Sequence, residues 1–142
     1  LTTILQIHGL DVEKAVNFFE KELKNEYDRK HLKNRAVCVR NWLQKYAPEE
    51  FKFSLQEKSL AQITATEKKI LHELAKKLLQ QEWEDKELHQ EIYALCSNHQ
   101  LPPQEFFKAA YRVLINKEKG PRLAAFILEI GREKVAKLLQ KA

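Results

Sequence analysis

The chain has 142 residues, of which 44% are hydrophobic and 32% are charged, and its formal net charge is +5. This composition and length are those of one globular domain and exclude a disordered chain. With only 3 Gly and 4 Pro, the sequence favours helices, and the positive charge is compatible with a nucleic-acid partner without requiring one.

The first half of the chain predicts two helices. Asp11 is placed to cap a helix that ends near Leu23. A longer helix is expected from 26 to 46, and Pro48 ends it. Its apolar residues recur at alternating spacings of four and three, which defines one buried helix face. These residues are Leu32, Ala36, Val39, Leu43 and Tyr46.

Between Pro48 and Ile63 the periodicity changes. Phe51, Phe53 and Leu55 alternate with polar residues, which predicts an extended segment laid over the helices and too short to form a sheet. A capping box then follows, because Thr64 precedes Glu67 by three residues. It predicts the start of a helix whose buried face carries Ile70, Leu74 and Leu78.

The second half predicts four further helices. One carries Leu88, Ile92, Leu95 and Cys96 on its buried face, and the next spans 106–115 behind the Pro102-Pro103 pair. A short helix is expected to start at Gly120-Pro121 and to reach about Glu129, and a last helix follows Gly131. The expected fold is therefore all-α, a compact bundle or cage of about six to seven helices forming one domain over residues 1–142.

No motif in the sequence indicates catalysis. There is no Gly-rich phosphate loop, nucleophile elbow or HExxH sequence, and the carboxylates are expected mostly on solvated helix faces, often near Lys at helical spacing. Cys38 and Cys96 are far apart and neither belongs to a CxxC pair. We therefore expect buried, reduced thiols in a cytoplasmic protein, rather than a disulfide or a metal site.

Four cations cluster around one helix connection: Arg112, Lys117, Lys119 and Arg122. The Gly120-Pro121 pair between them interrupts the helices and frees backbone N–H groups at the start of the next one. Cations beside a helix N-terminus can hold phosphate. The alternative is a solvated turn whose cations favour the preceding helix dipole, and the residues alone leave both interpretations open.

Aromatic residues give a second candidate site. Trp42 and Tyr46 lie one helical turn apart, near Arg35 and Arg40, and exposed aromatic rings beside Arg can stack on unpaired RNA bases. Tyr46 fits the apolar face and is assigned to the core, whereas Trp42 stays open. The acidic segment from Glu82 to Asp85 is expected to repel phosphate.

Three segments carry a family resemblance. They read RNWLQKYAPEE from Arg40, ELHQEIY from Glu87 and EFFKAAYRVLINKEKGPRL from Glu105. In this order and spacing they resemble class I lysyl-tRNA synthetase, and the last segment is the most specific. The chain departs from the family pattern at Asn116, where Gly is frequent, and at Ala124-Ala125, where Gly-Ser is frequent.

The resemblance implies the C-terminal α-helical domain that reads the anticodon of lysine tRNA. The parent enzyme would use ATP and Mg²⁺ to attach lysine to its tRNA, and the catalytic domain of the same chain would be a partner. Since the sequence starts at Leu1 and contains no Met, we expect a piece of a longer protein. The class I nucleotide-binding motifs are absent, so these residues alone should be inactive and need no cofactor.

The candidate tRNA-binding residues are Arg112, Lys117, Lys119, Arg122, Arg40 and Trp42. The chain is expected to be monomeric and to bind neither a metal ion nor a membrane. Two alternatives stay open: the equivalent domain of a glutamyl-tRNA synthetase, and a helical scaffold that binds a partner protein through an apolar groove.

Overall fold

The computed structural model describes residues 1–56 and 62–141, and its regular structure there is helical throughout. Within these residues it contains eight α-helices and two short 3-10 helices. The α-helices are α1 (Thr2–Ile7), α2 (Val12–Phe18), α3 (Glu26–Lys45), α4 (Ala65–Gln80), α5 (Asp85–Asn98), α6 (Pro103–Ile115), α7 (Leu123–Ile130) and α8 (Arg132–Gln140). The predicted all-α class is confirmed. The unpredicted helix is α1, whose six residues are too few to show a helical period.

The chain divides into two units, Leu1–Leu55 and Gln56–Ala142. In the first, α1, α2 and α3 contact one another around a core that includes Leu5, Ala15 and Ala36. In the second, α4 packs against α8 and α5 packs against α7, with α6 also contacting α8. The expectation of a single domain over residues 1–142 stays a prediction.

Helix α2 begins as predicted and ends earlier. The Asp11 side chain accepts a hydrogen bond from the Lys14 N–H at 3.1 Å, so the N-cap is confirmed. The helix stops at Phe18 and a 3-10 helix follows at Glu20–Glu22. The reason is that no apolar residue lies between Phe19 and Leu23 to continue the buried face.

Helix α3 matches its predicted span within one residue, but of its predicted buried face only Ala36 and Leu43 are buried, and Leu32 and Val39 are half-buried. Tyr46 is 76% exposed rather than buried. It is the C-cap residue, with non-helical φ of −127°, so the buried face does not extend to it and Ala47 turns inward instead. Cys38, also expected to be buried, lies on the exposed side of α3, whereas Cys96 is buried as predicted.

The segment after α3 is held by one buried side chain. Gln6 of α1 donates from Nε2 to the Phe51 carbonyl oxygen at 2.9 Å and accepts at Oε1 from the Phe53 N–H at 2.7 Å. Glu49–Phe51 forms a 3-10 helix, so the predicted extended backbone was wrong at Phe51, whereas Lys52 has the extended backbone that was predicted. Residues 57–61 of the predicted extended segment lie outside the described residues.

The capping box of α4 is confirmed. Glu67 N–H donates to the Thr64 hydroxyl oxygen at 3.2 Å, and Thr64 N–H donates to Glu67 Oε2 at 3.0 Å. The predicted buried faces of α4 and α5 are also confirmed, since each of their predicted residues is at most 3% exposed. Helix α6 begins at Pro103, in the first-turn position that proline tolerates.

Candidate functional site

The four clustered cations lie at the connection between α6 and α7. We call residues 116–122, together with Arg112 in the last turn of α6, the basic turn. Helix α6 ends at Ile115, and its C-cap is Asn116, whose φ of 56° and ψ of 36° place it in the left-handed region. Its N–H donates to the Arg112 carbonyl oxygen at 3.1 Å. Asn tolerates this conformation better than most non-glycine residues, so the departure from Gly at Asn116 is compatible with the turn.

The Gly-Pro pair of the basic turn packs onto the end of α6. A Cβ atom on Gly120 would lie 3.0 Å from Ile115 Cδ1 and from two carbons of the Tyr111 ring. The Tyr111 hydroxyl donates a hydrogen bond to the Pro121 carbonyl oxygen. Burial raises the pKa of Tyr111, so its hydroxyl stays protonated and able to donate. Because Gly120 and Pro121 are held against the end of α6, they do not belong to α7. Helix α7 begins at Leu123, with Arg122 as its N-cap, and not at Gly120 as predicted.

Arg112 and Arg122 each have a carboxylate partner. Arg112 Nη2 lies 2.6 Å from Glu118 Oε1, and Arg122 Nη2 lies 3.1 Å from Asp85 Oδ1. The hydrogen bond with Arg112 and its charge lower the pKa of Glu118, and the same bond raises the pKa of Arg112. Phosphate approaching either Arg must therefore compete with a carboxylate for the same guanidinium.

The acidic segment is thus not remote from the predicted phosphate site, because Asp85 at its end contacts Arg122. Sequence reasoning missed both carboxylate partners. Glu118 follows Arg112 by six residues, which is not the spacing of neighbours on a helix, and Asp85 precedes Arg122 by 37 residues. No local sequence signal indicates either contact.

The remaining features of the basic turn favour anions. Lys119 is exposed and Lys117 is half-buried. The first intrahelical N–H bond of α7 is from Phe126 to the Arg122 carbonyl oxygen, at 2.8 Å. The N–H groups of the preceding residues form the partly positive end of the α7 dipole, which adjoins the basic turn. This arrangement can hold phosphate oxygens.

The other two predicted residues lie in the first unit. Trp42 is 42% exposed, and its ring meets the Phe51 ring edge to face, with centroids 6.4 Å apart and planes at 65°. Arg40 is half-buried. Because residues two apart on a helix do not face the same side, Arg40 and Trp42 project in different directions from α3.

The described residues show neither a metal cluster nor a membrane-spanning helix. In ranges 1–56 and 62–141, no three His, Cys, Asp or Glu side chains come together as a metal site would require. Over the same ranges, no helix has both the length and the apolar character needed to cross a bilayer.

Residues 10–142 match the family described as the anticodon binding domain. The lysine–tRNA ligase of Borreliella burgdorferi is 34% identical over 146 residues, covering 99% of this chain and 27% of that protein. Those of Picrophilus torridus and Archaeoglobus fulgidus are 30% and 31% identical, over 96% and 100% of this chain and 27% and 29% of their own lengths. The chain thus spans little more than a quarter of these relatives. Because the family match omits only the first nine residues, the chain belongs to the anticodon-binding domain family.

Proposed function

We propose that this chain is the anticodon-binding domain of a lysine–tRNA ligase and binds the anticodon arm of lysine tRNA. The observation that carries the proposal is the similarity, over almost the whole chain, to proteins named lysine–tRNA ligase. It favours lysine tRNA over the glutamate alternative. The family match favours RNA binding over the alternative of a protein scaffold.

The basic turn supplies the electrostatic part of the proposed binding. Lys117 and Lys119 neutralise backbone phosphates and release counterions, while Arg112 and Arg122 exchange their carboxylate partners for phosphate oxygens. Phosphate contacts fix the position of the arm without reading sequence. The unpaired anticodon bases would then be recognised by stacking and by hydrogen bonds to their edges.

The parent enzyme would activate lysine with ATP and Mg²⁺ in a catalytic domain and esterify it to the tRNA. We propose no catalytic residue, metal site or cofactor site within residues 1–142. The purified 142-residue chain should therefore show no lysine-dependent exchange of pyrophosphate into ATP, and exchange above a boiled control would contradict this. Cytoplasmic location and a monomeric state stay predictions.

The test is the binding of lysine tRNA to the purified protein at several salt concentrations, beside glutamate tRNA. The Lys117→Ala, Lys119→Ala double variant should bind lysine tRNA more weakly. Its log–log salt slope should be shallower by up to about 0.9 per lost phosphate contact. Tighter binding of glutamate tRNA by the unaltered protein would contradict the choice of lysine.

A matched control removes two exposed cations of α8, Lys134 and Lys137, by the same substitutions. Both double variants lower the net charge by two within the same unit. The two variants are compared in their affinity for lysine tRNA and in their salt slope. If both quantities fall equally, the RNA is attracted by the net charge of the protein and the basic turn is not its binding site. Circular dichroism on each variant shows whether the helices are retained.

A further inference from the structure

Three large aromatic side chains are exposed at the C-terminal end of α3. Trp42 is 42% exposed, Tyr46 is 76% exposed and Phe51 is 55% exposed. Single exposed apolar residues are common, but a cluster of exposed rings usually marks a binding surface. We call these three residues the aromatic surface.

The aromatic surface is held in place by the fold of the first unit. Trp42 contacts the Phe51 ring edge to face at a centroid distance of 6.4 Å. Tyr46 is the C-cap of α3, one turn beyond Trp42, and its backbone N–H donates to the Trp42 carbonyl oxygen at 2.8 Å. The Phe51 carbonyl is fixed by the buried Gln6 side chain at 2.9 Å, which anchors the 3-10 turn that carries the Phe51 ring.

Cations lie on the same side of α3 as Trp42. Lys45 follows it by three residues, and Arg35 precedes it by seven, which is close to two full turns. Both are exposed. Lys is depleted in the cores of protein–protein interfaces, whereas aromatic rings beside cations suit a single-stranded nucleic acid with its flat bases and charged backbone.

We propose that unpaired bases of the bound tRNA stack on Trp42, Tyr46 and Phe51, with Lys45 and Arg35 contacting the adjoining phosphates. This inference rests on the proposed function and names a second contact region, in the first unit, with a different physical basis. The basic turn acts through charge, whereas the aromatic surface acts through neutral rings. The two contributions therefore respond differently to salt.

The binding test uses single substitutions in the purified protein and lysine tRNA. Each of Trp42→Ala, Tyr46→Ala and Phe51→Ala should weaken binding about tenfold and leave the salt slope unchanged. Trp42→Phe, which keeps a ring, should retain most of the affinity. The control is Tyr27→Ala, because Tyr27 is 75% exposed on the same helix but roughly 28 Å from Tyr46 along its axis.

The outcomes separate the two proposals. If the unaltered protein does not bind lysine tRNA, the proposed function fails. If it binds, and the alanine variants of the aromatic surface bind as tightly as Tyr27→Ala, the aromatic surface is not a base-stacking site and the proposed function stands. A loss of affinity accompanied by a shallower salt slope would also overturn stacking as the cause.

A fluorescence measurement tests stacking directly. The chain has 2 Trp, so Trp83→Phe leaves Trp42 as its one indole. Adding single-stranded RNA of the anticodon-loop sequence should quench this fluorescence, and a fully paired RNA of equal length should quench it less. No quenching at saturating RNA would overturn the proposal. So would shielding of Trp42 from acrylamide before RNA is added, because another part of the protein would then cover the surface.

Discussion

The Tyr111 hydroxyl donates a hydrogen bond to the carbonyl oxygen of Pro121, ten residues further along the chain. The bond joins the last turns of α6 to the residue before the N-cap of α7. Gly120 lies against the same Tyr111 ring. The Gly-Pro pair therefore has a packing role that is separate from the charges around it, and it determines where the cations of the basic turn are presented.

Replacing Tyr111 with Phe should lower the free energy of unfolding by about 1 kcal/mol, because the Pro121 carbonyl loses its donor. Urea unfolding measures this. The exposed Tyr46→Phe is the control and should change stability by less than about 0.5 kcal/mol. Equal stability of the two Phe variants would contradict the role of the bond.

The same side chain predicts a dependence of stability on pH. Burial raises the pKa of Tyr111, so the folded state holds the hydroxyl proton to higher pH than the unfolded state does. The free energy of unfolding should therefore fall as pH rises above about 10, and Tyr111→Phe should lack this contribution.

Replacing Gly120 with Ala should destabilise the fold by about 1–3 kcal/mol, because the new methyl group would crowd Ile115 and the buried Tyr111 ring. In an open turn the same change would be stabilising, since it restricts the unfolded chain. The sign of the change in thermal or urea unfolding therefore decides whether Gly120 is packed. The Ile115→Val substitution removes the Cδ1 atom that the new methyl group would crowd. It should therefore lower the free energy of unfolding by less in the Gly120→Ala background than in the unaltered chain.

Local signals predicted much of the fold. The Thr64 capping box, the Asp11 N-cap and the buried faces of α4 and α5 depend on residues within one or two turns, and all are confirmed. The prediction of side-chain burial was wrong where a helix ends. Tyr46 continues the apolar period by spacing but is the residue where α3 ends, so its side chain points to solvent.

The candidate site was less predictable, because its contacts join residues that are distant in sequence. The cations of the basic turn are visible as a cluster, whereas Asp85 reaches Arg122 only through the packing of α5 and α7. The Gln6 bonds to Phe51 and Phe53 likewise span 45 and 47 residues and have no sequence signature. Spacing along the chain indicates which charges can meet on one helix, not which meet across helices.

Replacing Thr64 with Ala should cost about 1 kcal/mol of stability, because the Glu67 N–H loses its acceptor at the start of α4. Thr66→Ala is the matched control, since Thr66 is exposed two residues later and inside the helix. It should be neutral or slightly stabilising, because Ala is the better helix former. Denaturant unfolding measures both changes as shifts of the midpoint, when the variants unfold with the same slope as the unaltered chain. Equal losses of stability in the two variants would show that the capping bond contributes nothing specific.

The Arg112–Glu118 pair predicts a particular response to acid. Arg112 lowers the pKa of Glu118 in the folded protein. The pair's contribution to stability is therefore complete above the ordinary Glu pKa of about 4.3, and it is lost as pH falls through the lowered value. Carboxyl chemical shifts followed through a pH titration should show the low pKa in the unaltered protein and an ordinary one in Arg112→Gln. An ordinary Glu118 pKa in both proteins would show that the ion pair does not form in solution.

The carboxylates beside the basic turn should weaken RNA binding, because phosphate has to displace them from the Arg side chains. Asp85→Asn and Glu118→Gln remove the competing charges beside Arg122 and Arg112. Each should tighten the binding of lysine tRNA severalfold, with the largest gain at low salt, where charge interactions are least screened. Fluorescence anisotropy with labelled tRNA measures the change.

The control for this comparison is Glu82→Gln, which raises the net charge by the same amount at an exposed position in the same acidic segment. If all three variants gain equally, the added charge acts at long range and the ion pairs have no specific effect. If Asp85→Asn and Glu118→Gln instead weaken binding, the carboxylates hold the guanidinium groups in the orientation that the RNA requires. The direction of the change thus distinguishes competition for the Arg side chains from their positioning, and only competition is consistent with phosphate replacing Asp85 and Glu118.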